Sequence, residues 1–258
     1  MYEFCQVERD GRLLVVTIDR PEVRNALHPP GSAELAGVFD DFAADPDLWV
    51  AIITGAGEHA FSAGNDLKYQ SAGGDRSARP ATGFAGITSR YDLTKPMIAA
   101  VNGVAMGGGF EAALACDLIV ASQNAMFALP EVRVGLAALA GGLHRLPRTI
   151  GSKRAMGMIL TGRKVTAAEG HELGFVNEVV AEGEALMAAR RWAELILEAS
   201  PMSVRASKQV VTQGLEQTGV RAASERAYDA VEAMVRSEDY IEGPNAFTAK
   251  RPPRWAGH

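Results

Sequence analysis

Uninterrupted apolar runs constrain the fold of this chain more than any other feature. "GRLLVVTIDRP" (11–21) is β-branched and bounded by Gly11 and Pro21, the signature of a strand. "WVAIITG" (49–55) and "MIAAVNG" (97–103) show no polar alternation. Such strands are buried on both faces, as in parallel sheets covered by helices. Between the first two, "AELAGVFDDFAAD" places Leu35, Val38, Phe39 and Phe42 at helical spacing behind Ser32, the expected cap. A short helix is expected over 84–94, ended by Pro96. "FEAALACD" reads as a helix, and "LIVAS" and "AMFALP" as strands. Strand and helix thus alternate over 11–135, which implies an α/β layout with parallel pairing. From Gly141 onward the segments are mostly helical, among them "GSKRAMGMILTG", "EALMAARRWAELILEAS" and "VRAASERAYDAVEAMVRS".

The 258 residues are 47% apolar and 22% charged, enough material for a sizeable core and too few charges for disorder. A net charge of −5 speaks against a nucleic-acid footprint. No run is long and apolar enough to span a bilayer, and the N-terminus lacks the basic start of a signal peptide. Cys5 and Cys116 read as buried thiols, which suits a reducing compartment, so the expected location is cytoplasmic. "YQSAGGDRSARPATG" (69–83) is long for a structureless connection and points to a mobile loop at a working site.

Several constellations bear on chemistry. "GAGEHA" (55–60) fits a dinucleotide-binding fingerprint after a strand, which keeps a NAD-dependent dehydrogenase among the alternatives, but Gly64 interrupts the helix that must follow. The histidines are scattered, His171-Glu172 lacks its second histidine, and no G-x-S-x-G is present, so neither metal nor serine chemistry is expected. "GVAMGGGFE" (103–111) is more informative. A helix starting near Gly108 leaves its first amides without intrahelical partners, and glycine there lets another molecule approach the backbone. Such amides can stabilise a developing oxyanion, although close helix–strand packing uses glycine for the same steric reason. "FSAGNDLK" (61–68) offers a second amide, that of Asn65. Glu111 follows the glycines in the first turn, where the helix N-terminus favours its anion. In "ALPEVRVG", Glu131 stands in an apolar stretch, either a solvated strand end or a carboxyl that chemistry requires.

Taken together, "RPEVRNAL", "AFSAGNDLK", "KPMIAAVNGVAMGGGFEAALACDLIVAS", "FALPEVRVGL", "GGLHRLPR" and the tail "SEDYIEGPNAFTAKRPPRW" resemble the crotonase (enoyl-CoA hydratase/isomerase) superfamily over essentially the whole chain. The resemblance implies an α/β spiral of ββα units over 1–200 and a C-terminal helical trimerisation region over 201–258. It also implies a homotrimer or a dimer of trimers, and an acyl-coenzyme A thioester as ligand, coenzyme A entering only as part of the substrate. No separate cofactor and no metal are expected.

The oxyanion hole would be formed by the amides of Asn65 and Gly108, and the catalytic pair would be Glu111 and Glu131. Coenzyme A would run along Arg24, Ala26, Ala63, Asp66, Leu67 and Lys68, with Lys250 reaching a phosphate across a subunit boundary. Met106, Leu136 and Leu143 would line the acyl pocket. Within the superfamily the motifs look closest to the carnitinyl-CoA dehydratase branch. Two departures stand out: Asn65 replaces the tryptophan that branch tends to carry, and "GLAALAGGLHR" (135–145) lacks the usual proline. Two filled glutamate positions favour a hydratase, with crotonobetainyl-CoA hydration or Δ3–Δ2 isomerisation as alternatives.

Overall fold

The computed structural model describes residues 2–75 and 79–258. β1 (Cys5–Asp10) and β2 (Leu13–Ile18) form an antiparallel hairpin across Gly11, whose φ of +56° suits the tight turn. β3 (Val50–Gly55) and β5 (Met97–Val101) join β2 in parallel, followed by β7 (Leu118–Ser122) and β10 (Glu178–Val180), giving the order β1-β2-β3-β5-β7-β10. A second sheet, β4-β6-β8-β9, is built from β4 (Ala60–Ser62), β6 (Val104–Met106), β8 (Met126–Ala128) and β9 (Val165–Thr166). Successive strands therefore alternate between sheets: β3, β5 and β7 lie side by side in the first, β4, β6 and β8 in the second. Each turn of the chain supplies one strand to each sheet before a helical segment, which is the spiral expected from the sequence.

The period of two along a strand divides the core. Val16, Ile53 and Ala99 face one side with Phe39, Phe110, Phe127 and Phe175, the last three rings standing 5.1–5.2 Å apart. Val15, Ile52 and Ile98 face the other, where α7 (Ala185–Leu197) lays down Ala185, Ala188, Ala189 and Ala193. Both faces of β3 and β5 are buried, so continuous apolar runs are required.

Helix positions depart from expectation in three places. α1 (Pro29–Ala44) begins before Ser32: His28 accepts from the Gly31 amide at 3.2 Å, and Pro29 occupies the first turn, where its missing N–H costs nothing. Ser32 is buried and accepts instead from the Ala85 amide at 3.3 Å. The helix expected over 84–94 is only a 3-10 turn, Phe84–Gly86, because Gly83, Ala85 and Gly86 all have positive φ. The loop expected over 69–83 begins inside α2 (Leu67–Ser71) and includes residues 76–78, which lie outside the described residues.

α3 (Gly108–Ala115) follows β6, and the 3-10 turn Pro130–Val134 follows β8. α4 (Gly142–Ile150), α5 (Ser152–Thr161) and α6 (Ala167–Leu173) precede β10, and α7 leads to α8 (Pro201–Gly214). Within "VRAASERAYDAVEAMVRS" the extended Arg226 separates α9 (Val220–Glu225) from α10 (Asp229–Arg236). After α11 (Glu238–Thr248) the tail returns to the core, where Asp239 accepts from the amides of Ala256 and Gly257 and from Ser200 Oγ.

Candidate active site

β4 and β6 are parallel neighbours, so the loops at their C-terminal ends leave the sheet on the same side. These are the two glycine-bearing loops. A Cβ at Gly64 would stand 2.5 Å from the Met106 carbonyl oxygen and 3.0 Å from the Gly108 nitrogen, so the loops touch only because Gly64 has no side chain. Gly64 (φ +89°) and Gly107 (φ +52°) are both left-handed, which bulkier residues resist. Leu27 donates to Gly64 O and accepts from the Asp66 amide, forming an isolated parallel bridge with Asn65. In that pattern the Asn65 N–H points away from Leu27. Gly108 is the first residue of α3, whose first intrahelical bond runs from Glu111 N to Gly107 O at 2.9 Å. The Gly108 amide therefore lacks an intrahelical acceptor. The Phe84 ring packs on this residue: a Cβ at Gly108 would stand 2.9–3.0 Å from its atoms.

The Asn65 loop is held from beneath by residues of "RNA" (24–26). Asn25 is fully buried with φ 55°; its Nδ2 donates to Ala60 O at 2.7 Å and Ala56 O at 3.0 Å, and its Oδ1 accepts from Arg20 N. Ser62 Oγ donates to Asn25 O and accepts from Gly64 N. Among the expected coenzyme A contacts, Arg24 and Lys68 are exposed, Leu67 is exposed and Ala63 half-buried beside the loop, and Ala26 is buried. Asp66 is buried, pairs with Arg20 at 3.1 Å and caps α2 through the Tyr69 amide. Lys250 is exposed beyond α11, and no hydrogen bond or ion pair among the described residues joins it to these loops.

The two glutamates flank the Gly107–Gly108 turn. Glu111, 3% exposed, accepts from the Gly142 amide at 2.8 Å. Glu131 enters from the Pro130–Val134 turn and lays its carboxyl over Gly107, where a Cβ would be 2.8 Å from Oε1. Its Oε2 is sealed from solvent and has no hydrogen-bond partner among the described residues. Burial pushes the Glu111 carboxyl up to about 7, with the Glu131 charge adding to the rise and the Gly142 amide opposing it. Burial also raises Glu131. The ionised Glu111 expected from its place on the helix is thus corrected: loss of water outweighs the helix N-terminus, and the site holds a proton near neutrality. Met106 and Leu143 are half-buried at the margins of this site, whereas Leu136 is exposed after the Pro130–Val134 turn.

Residues 8–258 match the enoyl-CoA hydratase/isomerase family. The chain belongs to that family. It is 44% identical to a carnitinyl-CoA dehydratase of Salmonella arizonae, with all of both chains covered. Among solved structures it resembles an enoyl-CoA hydratase from Mycobacterium tuberculosis (41% identity, 99% of each chain, TM-score 0.92). It also resembles a carnitinyl-CoA hydratase from Mycobacterium avium (40% identity, all of both chains, TM-score 0.78).

For a member of this family, the dinucleotide fingerprint at 55–60 has an ordinary explanation. Gly55 ends β3 where a Cβ would meet Asn25 Nδ2 at 2.7 Å, and the chain turns into β4 rather than opening a helix. Sequence reasoning overlooked Asn25, Phe84 and the Gly142 amide. Asn25 carried one signal, since asparagine tolerates positive φ better than most residues. Nothing local marks Phe84, which reaches Gly108 from a distant segment. No helix among the described residues is long and apolar enough to cross a membrane, and among them no three or more His, Cys, Asp or Glu side chains gather to hold a metal ion.

Proposed function

We propose that this protein is a hydro-lyase that adds water reversibly across the 2,3 double bond of an enoyl-CoA thioester. The observation that carries the reading is the pair of glutamates, Glu111 buried and Glu131 half-buried, on either side of a turn whose free amide touches a second amide-bearing loop. The thioester oxygen binds the amides of Asn65 and Gly108. Attack at C3 moves charge onto that oxygen, where fixed N–H groups stabilise it more than the ground-state carbonyl. Water loses its proton to one carboxylate while the other, protonated, delivers one to C2, with Glu131 carrying most of the C2 transfer. A buried Glu111, raised by loss of water and further by the Glu131 charge, beside a Glu131 that burial also raises suits such an exchange.

Coenzyme A extends along Arg24, Ala26, Ala63, Asp66, Leu67 and Lys68, and a Lys250 reaches a phosphate from another subunit. Asp66 serves this path by holding the loop, since its carboxylate already pairs with Arg20. Met106, Leu136 and Leu143 bound the acyl chain. The enzyme needs no cofactor beyond the coenzyme A of its substrate and works in the cytoplasm, where the free thiols of Cys5 and Cys116 persist. Residues 1–200 form the spiral core, and 201–258 assemble trimers or dimers of trimers. Leu215, Val220, Ile241 and Phe247, all exposed on or beside the C-terminal helices, support that assembly.

Glu111→Gln and Glu131→Gln test the mechanism on crotonyl-CoA: each variant is expected to lose about 10²–10⁴-fold in hydration rate. Wild-type rates in both would rule out two-carboxylate chemistry. Carnitinyl-CoA dehydration is the second reading, favoured by 44% identity to a protein of that name. A panel of enoyl thioesters that includes crotonobetainyl-CoA separates the two.

A further inference from the structure

"GGLHRLPR" (141–148) contributes the Gly142 amide to the site, and its arginine reaches further. Arg145, in the first turn of α4, donates from Nη2 to the Thr88 carbonyl at 2.8 Å and from Nη1 to the Ala140 carbonyl at 3.5 Å. The guanidinium carbon stands 5.7 Å from the centroid of the Tyr91 ring. Gly141, at φ +106°, leaves room for this: a Cβ there would collide with Arg145 Nη1. Thr88 is buried, and its amide bonds to the Phe84 carbonyl at 3.3 Å. Arg90 ties the same segment to α1 through Ala36 O and Asp40.

One guanidinium thus joins two segments that enclose the candidate site from different parts of the chain. The first places Phe84 on Gly108; the second places the Gly142 amide on Glu111. We propose that Arg145 is a positioning residue for the acid–base step, locking the Ala140–Gly142 loop to the Phe84–Tyr91 segment so that Glu111 and the amide site stay in register. The proposal rests on the hydratase reading of Glu111. A lysine replaces this link poorly, because a rigid planar fork bridges two carbonyls that a single ammonium meets less well. The charges acting on Glu111 are Glu131, from the Pro130–Val134 turn, and Arg145 itself, from α4; the arginine favours the carboxylate and the glutamate opposes it.

The test is hydration of crotonyl-CoA by Arg145→Gln and Arg145→Lys, with kcat, KM, their pH profiles and Tm measured together. Arg145→Gln is expected to lose on the order of 10²-fold in kcat, as for a reacting group moved by about an ångström, with KM changed by less than about threefold. Its pH profile should shift upward at the limb set by Glu111. Arg145→Lys should return that limb to the wild-type position while kcat stays depressed. A lower Tm with wild-type kcat and pH profile would reduce Arg145 to a structural anchor and overturn the proposal. If the glutamine variant does not fold, the lysine variant decides: depressed kcat with an unmoved limb supports the proposal, and wild-type kcat overturns it. An inactive wild-type enzyme on every enoyl thioester would instead defeat the hydratase reading, and this proposal with it.

Discussion

Replacing Gly64 by alanine probes the contact on which the amide site depends. The new Cβ would stand 2.5 Å from Met106 O and 3.0 Å from Gly108 N, where ordinary contacts begin at 3.4 Å. The loops must then part by about 0.9 Å, and a hydrogen bond of ~2.9 Å stretched by that much is no longer one. A thioester oxygen can keep one of the two amides, not both. Losing one such donor costs roughly 2.7–4 kcal/mol in the transition state, or about 10²–10³ in kcat. The left-handed backbone at Gly64 (φ +89°) adds strain of roughly 1–2 kcal/mol to folding, and the overlap adds about 1–3 kcal/mol. The assay is crotonyl-CoA hydration at a temperature where circular dichroism shows the variant fully folded. Gly37→Ala is the control: it lies on an exposed turn of α1 with nothing within 4 Å of the added carbon, and should gain about 0.4–1 kcal/mol of stability at unchanged kcat. A folded Gly64→Ala enzyme with wild-type kcat would refute the claim that the two loops meet at the reacting oxygen.

Other expectations follow from the same geometry. A carboxyl whose folded value lies above its unfolded one binds more protons when folded, so the native state gains from Glu111 below pH 4.5 and loses that gain as pH rises through about 7. That difference is worth roughly 3 kcal/mol. In urea titrations Glu111→Gln should therefore be more stable than wild type by up to about that amount near pH ~8.5, with the advantage gone by pH 4.5; a constant difference across this range would contradict the burial argument. Asn25→Ala removes three hydrogen bonds and leaves a left-handed φ of 55° to an alanine, so denaturant unfolding should show a loss of about 3–5 kcal/mol. Phe110→Ala empties the centre of the three-ring cluster with Phe127 and Phe175, and should cost about 3–5 kcal/mol in the same measurement while leaving the amide loops chemically intact.

Covalent order along the chain already determines much of this molecule. Strands β2, β3 and β5 are continuous apolar runs because both faces of the sheet are covered, and a pattern of that kind survives in one dimension. The glycines at 64 and 107 and the glutamates at 111 and 131 are chemical choices that announce themselves by residue type. Tertiary structure decided what depends on neighbours remote in sequence. His28, not Ser32, starts α1, because Ser32 is needed by Ala85, 53 residues away. Glu111 holds its proton to about pH 7 because burial strips it of water and the Glu131 charge adds to the rise, where its helix alone would have favoured the anion. Phe84 meets Gly108, and Arg145 meets Thr88, across chain separations that no local pattern records. Residue type fixes which groups can carry charge or bare an amide; burial and distance, which set their proton affinity and their reach, exist only once the spiral has closed.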